Sequence, residues 1–299
     1  MKAVTFHHTG APDVLTLGEV PELPVGPQDI RVVVTAAAVN PVDLKTRSGF
    51  LTLNLTYPSV PGWDVSGVVA EIGGEVTRFT VGQQVVGMVA QPAHRYGTYA
   101  EQVVADARLF APAPVGVPLE EAAALPLAGL TAVQTLDKLT LAPGAPVLVT
   151  GAAGAVGRIA VQLLLADGHS VDALARAGDA ESLRALGVGT VHTRAQDLPA
   201  ATHAAVVDTA GVAAAIRAVA DGGQFVAIDD NDQPAPERGI TPRKSYVDEN
   251  GDQLRTLSDL VSAGRLTVPT GRRYPLADAA RAHQEFGAGG LRGKVLLLP

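Results

Sequence analysis

Three glycines, Gly151, Gly154 and Gly157, recur at the spacing of a turn that receives a diphosphate. Their context is Val147-Leu148-Val149-Thr150-Gly151-Ala152-Ala153-Gly154-Ala155-Val156-Gly157. Strand-like sequence runs into the glycines, and a helix-like stretch from Arg158 to Asp167 follows at once. Gly151 permits a tight turn. Gly154 removes a side chain, so that the backbone N–H groups of Ala152, Ala153, Ala155 and Val156 can approach a pyrophosphate. Gly157 lets the helix pack close to the strand. The helix start then offers unpaired N–H groups and the positive end of its dipole to a negative charge. Val156, Ile159, Ala160, Leu163 and Leu164 form the apolar stripe of a helix that covers a sheet. The competing reading is a glycine-rich turn that only permits packing. The strand before, the helix after and the β–α alternation that follows favour a dinucleotide.

The next strand selects which dinucleotide. A site for NAD places an acid about 20 residues on, at the strand tip, to hold the ribose 2′-hydroxyl. This strand ends Leu174-Ala175-Arg176, and its one acid, Asp172, falls within the strand. Arg176 is suited to a 2′-phosphate, so NADPH is the expected cofactor. A solvated surface arginine is the alternative.

The flanking elements must position this turn. Residues 1–113 carry short β-branched runs at 30–35, 67–72, 84–89 and 99–104, punctuated by Gly26-Pro27, Gly73-Gly74 and Val81-Gly82, as in a small barrel-like or sandwich-like sheet. Pro112, Pro114 and Pro118 mark a linker. Helices are expected at 120–125 and, after an interruption at Pro126, at 127–139. Strands follow at 147–150, 170–175, 190–193, 205–208 and 224–228, with helices at 155–167, 179–186 and 212–220, a rhythm that means a parallel sheet. Helices at 252–263 and 275–286 and a strand at 293–298 close the chain. The domains expected are 1–113 with 247–299 for substrate, and 114–246 for the dinucleotide. The fold class is α/β.

At 299 residues, with 47% hydrophobic and 18% charged, the chain suits two packed domains. A net charge of −7 with no basic stripe argues against nucleic acid. No apolar run approaches the roughly 20 residues of a membrane span. The N-terminus lacks the apolar region of a signal peptide, so a cytoplasmic location is expected. The chain has no cysteine, which excludes disulfides and thiolate zinc sites.

Several segments in order resemble the zinc-independent medium-chain dehydrogenase/reductase superfamily, near the NADPH:quinone oxidoreductases related to zeta-crystallin. They are Asn40-Pro41-Val42-Asp43-Leu44-Lys45, Pro61-Gly62-Trp63-Asp64-Val65-Ser66-Gly67-Val68-Val69, Gly97-Thr98-Tyr99-Ala100-Glu101, Leu125-Pro126-Leu127-Ala128-Gly129-Leu130-Thr131-Ala132, the glycine turn, and Tyr274-Pro275-Leu276 with Arg292-Gly293-Lys294-Val295. The resemblance implies a GroES-like β-barrel joined to a Rossmann domain, a cleft between them and a homodimer. Related alcohol dehydrogenases hold zinc with Cys and His; here the seven histidines form no spaced ligand set, and the structural zinc loop near Met88–Tyr99 is missing.

A hydride acceptor that needs no Lewis acid is a quinone or an enone, which is already electrophilic. The resemblance places Asn40 beside the nicotinamide ribose or the substrate; an Asn in a turn before Pro41 is the plainer alternative. Lys45 could donate to a substrate oxygen or lie exposed. Tyr57 could donate in place of tyrosines that quinone reductases of this type carry near positions 45 and 51, where this chain has Lys45 and Leu51. Phe50, Leu51, Tyr57 and Trp63 are the expected substrate lining. Thr131, the segment Asp208-Thr209-Ala210 after the fourth strand and Ile228 at the end of the fifth match cofactor contacts. Asp229 and Asp230 are expected to border the nicotinamide, without a chemical role. Arg292 and Lys294 could add phosphate contacts or lie on the surface. The expected activity is hydride transfer from NADPH to a quinone or an α,β-unsaturated carbonyl. The alternatives are an enoyl-thioester reductase of a biosynthetic pathway and a non-catalytic NADPH-binding structural or sensor protein.

Overall fold

The computed structural model describes residues 1–228 and 233–299. The chain forms two compact units, Met1–Leu127 with Glu249–Pro299, and Ala128–Asp248. Among the described residues no helix is long and apolar enough to cross a membrane.

The first unit is built on a seven-stranded sheet. Its order is Thr270–Pro275, Lys294–Leu298, Asp29–Val39, Asp64–Ile72, Gln84–Met88 and Phe110–Pro112, with Gln102–Asp106 also on Asp29–Val39. Asp29–Val39 is the organiser: it pairs antiparallel with three partners, and register shifts at Arg31/Val32 and Val34/Ala36 bend it. Val32, Val34, Val65, Val85 and Phe110 pack on one face, and Val39, Tyr99, Val295 and Leu297 belong to a second apolar cluster. Helix Pro41–Ser48 follows at once. Pro41 suits its first turn, the Asp43 carboxylate accepts from Asn40 N at 2.8 Å, and Gly49 at φ +82° ends it.

The second unit is a six-stranded, all-parallel sheet ordered Val191–His192, Ser170–Leu174, Pro146–Thr150, His203–Asp208, Val219–Ala227, Arg243–Lys244. In chain order this reads third, second, first, fourth, fifth, sixth, the doubly wound Rossmann arrangement. The central strands are continuously apolar, because parallel strands are covered on both faces: Val147, Leu148, Val149, Val206 and Val207 are fully buried. Helix Ala155–Ala166 buries Ile159, Ala160, Val161 and Leu164.

Several secondary-structure expectations change. The helix expected at 212–220 is a 3₁₀ segment, Ala213–Ala218, and Val219 already begins a strand. Asp208 Oδ1 accepts from Val212 N at 3.0 Å and holds Val212 at φ −101°, ψ 74°, outside the helical region. The pairing of Val219 with His203 then ends the segment at Ala218. The helix expected at 179–186 shortens to Ala180–Arg184. The first compact unit runs to Leu127: Leu119–Ala122 belongs to it, and Ala123 packs against Ala36, Ala38 and Leu296. Pro126 starts a new helix, Pro126–Leu136, as a proline at a first helical position does.

Candidate functional site

In the second unit, the glycine turn leaves the C-terminal end of Pro146–Thr150, beside His203–Asp208. The strand order reverses between those two strands, and ligands of such sheets bind outside the strand ends at that crevice. Gly151 has φ +60°, and a Cβ there would stand 2.8 Å from Thr209 Oγ1. At Gly157 a Cβ would stand 2.4 Å from Gly151 O. The fold therefore requires both. Gly154 differs: it is exposed, has φ −72°, and a Cβ would meet only Gly151 O, at 3.2 Å. It caps the helix without a side chain, so the first N–H groups of Ala155, Val156 and Gly157 face outward without an intrahelical acceptor.

The neighbouring turn is braced from within. Asp208, 2% exposed, accepts from Thr150 Oγ1 at 2.5 Å, Val212 N at 3.0 Å and Ala210 N at 3.3 Å. Thr209 Oγ1 donates to Thr150 O at 2.7 Å, and Ile228 N donates to Asp208 O at 3.1 Å. The Asp208 carboxylate thus shapes the turn, while Ala210 is exposed beside it.

Arg176 follows the strand Ser170–Leu174 and is exposed; its carbonyl accepts from Asp179 N at 3.0 Å, and its guanidinium has no hydrogen-bond or ion-pair partner among the described residues. Asp172 is engaged elsewhere: one oxygen accepts from Thr190 N at 2.7 Å and the other meets His203 Nε2 at 3.0 Å. Sequence reasoning missed Arg158. It lies in the first turn of the glycine-turn helix, half-buried, with Nε buried and unpartnered. Its signal was a cation at the positive end of a helix, which is unfavourable without an anion nearby. Thr131 is buried in Pro126–Leu136, where its carbonyl accepts from Thr135 Oγ1. Asp229 and Asp230 lie outside the described residues.

In the first unit, Asn40 is only 4% exposed and sits in a buried polar cluster. Lys294 Nζ donates to Asn40 Oδ1 and, at 2.8 Å, to Asp64 Oδ2; Asn40 Nδ2 donates to Asp64 Oδ2 at 2.9 Å. Lys294 is therefore neither a surface residue nor a phosphate contact: it is buried and ion-paired. Arg292, two residues before, is exposed. Asp43 is fully buried and accepts from Tyr99 Oη at 3.2 Å, and Tyr99 Oη also meets His283 Nε2 at 3.2 Å. Burial, reinforced by the Asp64 charge, raises the Asp43 carboxyl to about 7. Burial beside the Arg47 guanidinium lowers His283 to about 3. Burial and the Asp43 charge push Tyr99 well up.

The other candidates of this unit lie apart from that cluster. Lys45 is half-buried with Nζ 5.6 Å from the centre of the Phe50 ring, and Phe50 is 60% exposed. Tyr57 is 42% exposed and meets Phe6 edge-on at 5.8 Å. Leu51 is partly exposed. Trp63 is half-buried with Nε1 buried and unpartnered.

The chain matches the family models for the alcohol dehydrogenase GroES-like domain over residues 26–115 and for zinc-binding dehydrogenase over residues 165–297. It is 31% identical to an NADPH-dependent alkenal/one oxidoreductase, chloroplastic, of Arabidopsis thaliana, over all of this chain and 80% of the relative. Among solved structures it is similar to the quinone oxidoreductase from Coxiella burnetii, with 28% identity, a TM-score of 0.89 and 100% and 99% of the two chains covered. It is also similar to a structure of an NAD-dependent alcohol dehydrogenase, with 30% identity, a TM-score of 0.90 and both chains fully covered. The chain belongs to the medium-chain dehydrogenase/reductase superfamily, in its quinone oxidoreductase-like branch.

This medium-chain dehydrogenase/reductase does not fit the zinc of the second family description. It has no cysteine, and among the described residues no three of His, Asp and Glu are placed to share an ion. His94 meets Glu249, His203 meets Asp172, and His283 meets Tyr99. At Asp64, a lysine ammonium is the bound cation.

Proposed function

We propose that this chain reduces quinones or α,β-unsaturated carbonyls with hydride from NADPH. The observation that carries the reading is Gly154: the fold excludes a side chain at Gly151 and Gly157 more strictly than at Gly154, where a Cβ would press only on Gly151 O at 3.2 Å, and a diphosphate docked at the open helix start accounts for a glycine there. The alkenal/one oxidoreductase relative supports the cofactor and the substrate class.

NADPH supplies the hydride when bound. The N–H groups of Ala155, Val156 and Gly157 hold its diphosphate against the helix dipole, lined by Ala152 and Ala153. Arg176, its guanidinium free of partners, takes the 2′-phosphate, and Arg158 adds a second cation. The engagement of Asp172 leaves no acid for a 2′-hydroxyl, which favours NADPH over NADH. Thr131, Thr209, Ala210 and Ile228 border the nucleotide. In the first unit, Asn40 and either Lys45 or Tyr57 supply the polar groups for the substrate. A substrate activated by its own conjugation matches a site with no metal ligands.

The test is NADPH oxidation with a panel of quinones, enones and enoyl thioesters. Turnover of the first two classes is expected. Tight NADPH binding with no turnover would overturn the reading.

A homodimer belongs to the same reading. The edge strand Arg243–Lys244 has one free edge among the described residues, with Tyr246 66% exposed beside it. Sedimentation at the monomer mass would contradict it. Cytoplasmic residence is tested by cell fractionation.

A further inference from the structure

Asp43, Tyr99 and His283 form a chain of polar contacts inside the first unit. Asp43 comes from helix Pro41–Ser48, Tyr99 from the segment before strand Gln102–Asp106, and His283 from helix Ala279–Ala288. Tyr99 Oη lies 3.2 Å from Asp43 Oδ2 and 3.2 Å from His283 Nε2. All three side chains are closed from solvent.

A phenol has one hydrogen, and this one faces two acceptors, so it donates to one of them at a time. When Asp43 is ionised, Tyr99 donates to Asp43 Oδ2. His283 must then carry its hydrogen on Nε2, to donate to Tyr99 Oη. When Asp43 is neutral, a hydrogen on its buried, unpartnered Oδ1 would find no acceptor. On Oδ2 it finds Tyr99 Oη, and Oδ2 keeps a lone pair for Asn40 N. Tyr99 then donates to His283 Nε2, and the imidazole hydrogen sits on Nδ1. Between the two states the chain gains one proton from solvent. The carboxylate becomes a carboxyl, while the phenol and the imidazole keep one hydrogen each.

We propose that this chain is a pH switch, in which the charge on Asp43 sets the direction of the Tyr99 hydroxyl and, through it, the tautomer of His283. The surrounding charges place the switch near neutrality. Burial and Asp64 raise Asp43, while the Asn40 N–H, Lys294 and Tyr99 lower it, which leaves the carboxyl at about 7. His283 is buried and faces the Arg47 guanidinium, itself influenced by Asp13, so the imidazole stays uncharged over the same range. The switch is internal to the first unit and does not depend on the reductase reading.

The test is nitrogen-15 NMR of the full chain labelled at histidine, titrated from about pH 5.5 to about 8.5. The His283 signals are assigned by their loss in His283→Gln. The Nε2–H form is expected at the alkaline end and the Nδ1–H form at the acid end, with the ratio of the two changing about tenfold per pH unit near the midpoint. In Tyr99→Phe the tautomer should no longer follow pH. Asp43→Asn, which cannot titrate, should hold one tautomer throughout, and it serves as the same control should Tyr99→Phe fail to fold. One tautomer at both ends of the wild-type titration would overturn the proposal. So would an imidazolium at the acid end, or a pH-dependent change that persists in either variant.

Discussion

Gly157 and Gly154 belong to one turn but answer to different demands. Gly157→Ala places a Cβ 2.4 Å from Gly151 O, so a lower melting temperature is expected. Gly154→Ala, whose Cβ would press only on Gly151 O at 3.2 Å, should lose less melting temperature than Gly157→Ala and more NADPH affinity in a fluorescence titration. Arg176→Ala should weaken NADPH by about 1.5–3 kcal/mol, the worth of a charged hydrogen bond, and leave NADH unchanged. Equal losses for both nucleotides would remove Arg176 from the phosphate. Asp43 and His283 oppose each other in pH. From about pH 3.8 to 7 the folded state keeps a proton on Asp43 that the unfolded chain has released, so this stabilisation is full at low pH and lost as pH rises through 7. From about pH 6.5 down to 3 the unfolded chain binds a proton that folded His283 refuses, so its stabilisation is full above 6.5 and lost as pH falls through 3. Each is worth up to about 4 kcal/mol. Urea unfolding should show Asp43→Asn gaining stability from pH 3 to 6.5 and His283→Leu losing it from pH 4 to 7.

Among elements, the Thr150–Asp208 contact ties the first strand of the parallel sheet to the fourth at the reversal of strand order. Asp208→Ala strips acceptors from Thr150 Oγ1, Ala210 N and Val212 N. Of these donors only Thr150 Oγ1 is fully buried, and leaving it unpaired costs about 1–3 kcal/mol, so chemical denaturation should show a loss of that size. NADPH affinity should fall with it, because the turn beside the glycines loses its brace.

For the whole molecule, a nucleotide that binds only the folded state should stabilise it by about 2.7 kcal/mol at a hundredfold excess over Kd. NADPH should therefore raise the melting temperature, and NADH less so at the same concentration. A chelator should change neither melting temperature nor turnover, since no ligand set for an ion exists among the described residues. Inhibition that added zinc reverses would contradict this.

Local pattern was enough for the glycine turn, the helix Ala155–Ala166 and the central strands, because turn geometry and buried parallel strands write themselves into neighbouring residues. The same holds for Arg176, whose meaning depends on its place at a strand tip. The chain alone did not show the crossover at Val212–Val219, which a carboxylate and a strand pairing hold out of helix. Nor did it show that Lys294 is buried. That follows only when the last strand pairs with Asp29–Val39 and brings its ammonium to Asp64. Partners so distant in sequence leave no periodic trace, so long-range pairing alone decides which charges are solvated and which are locked inside.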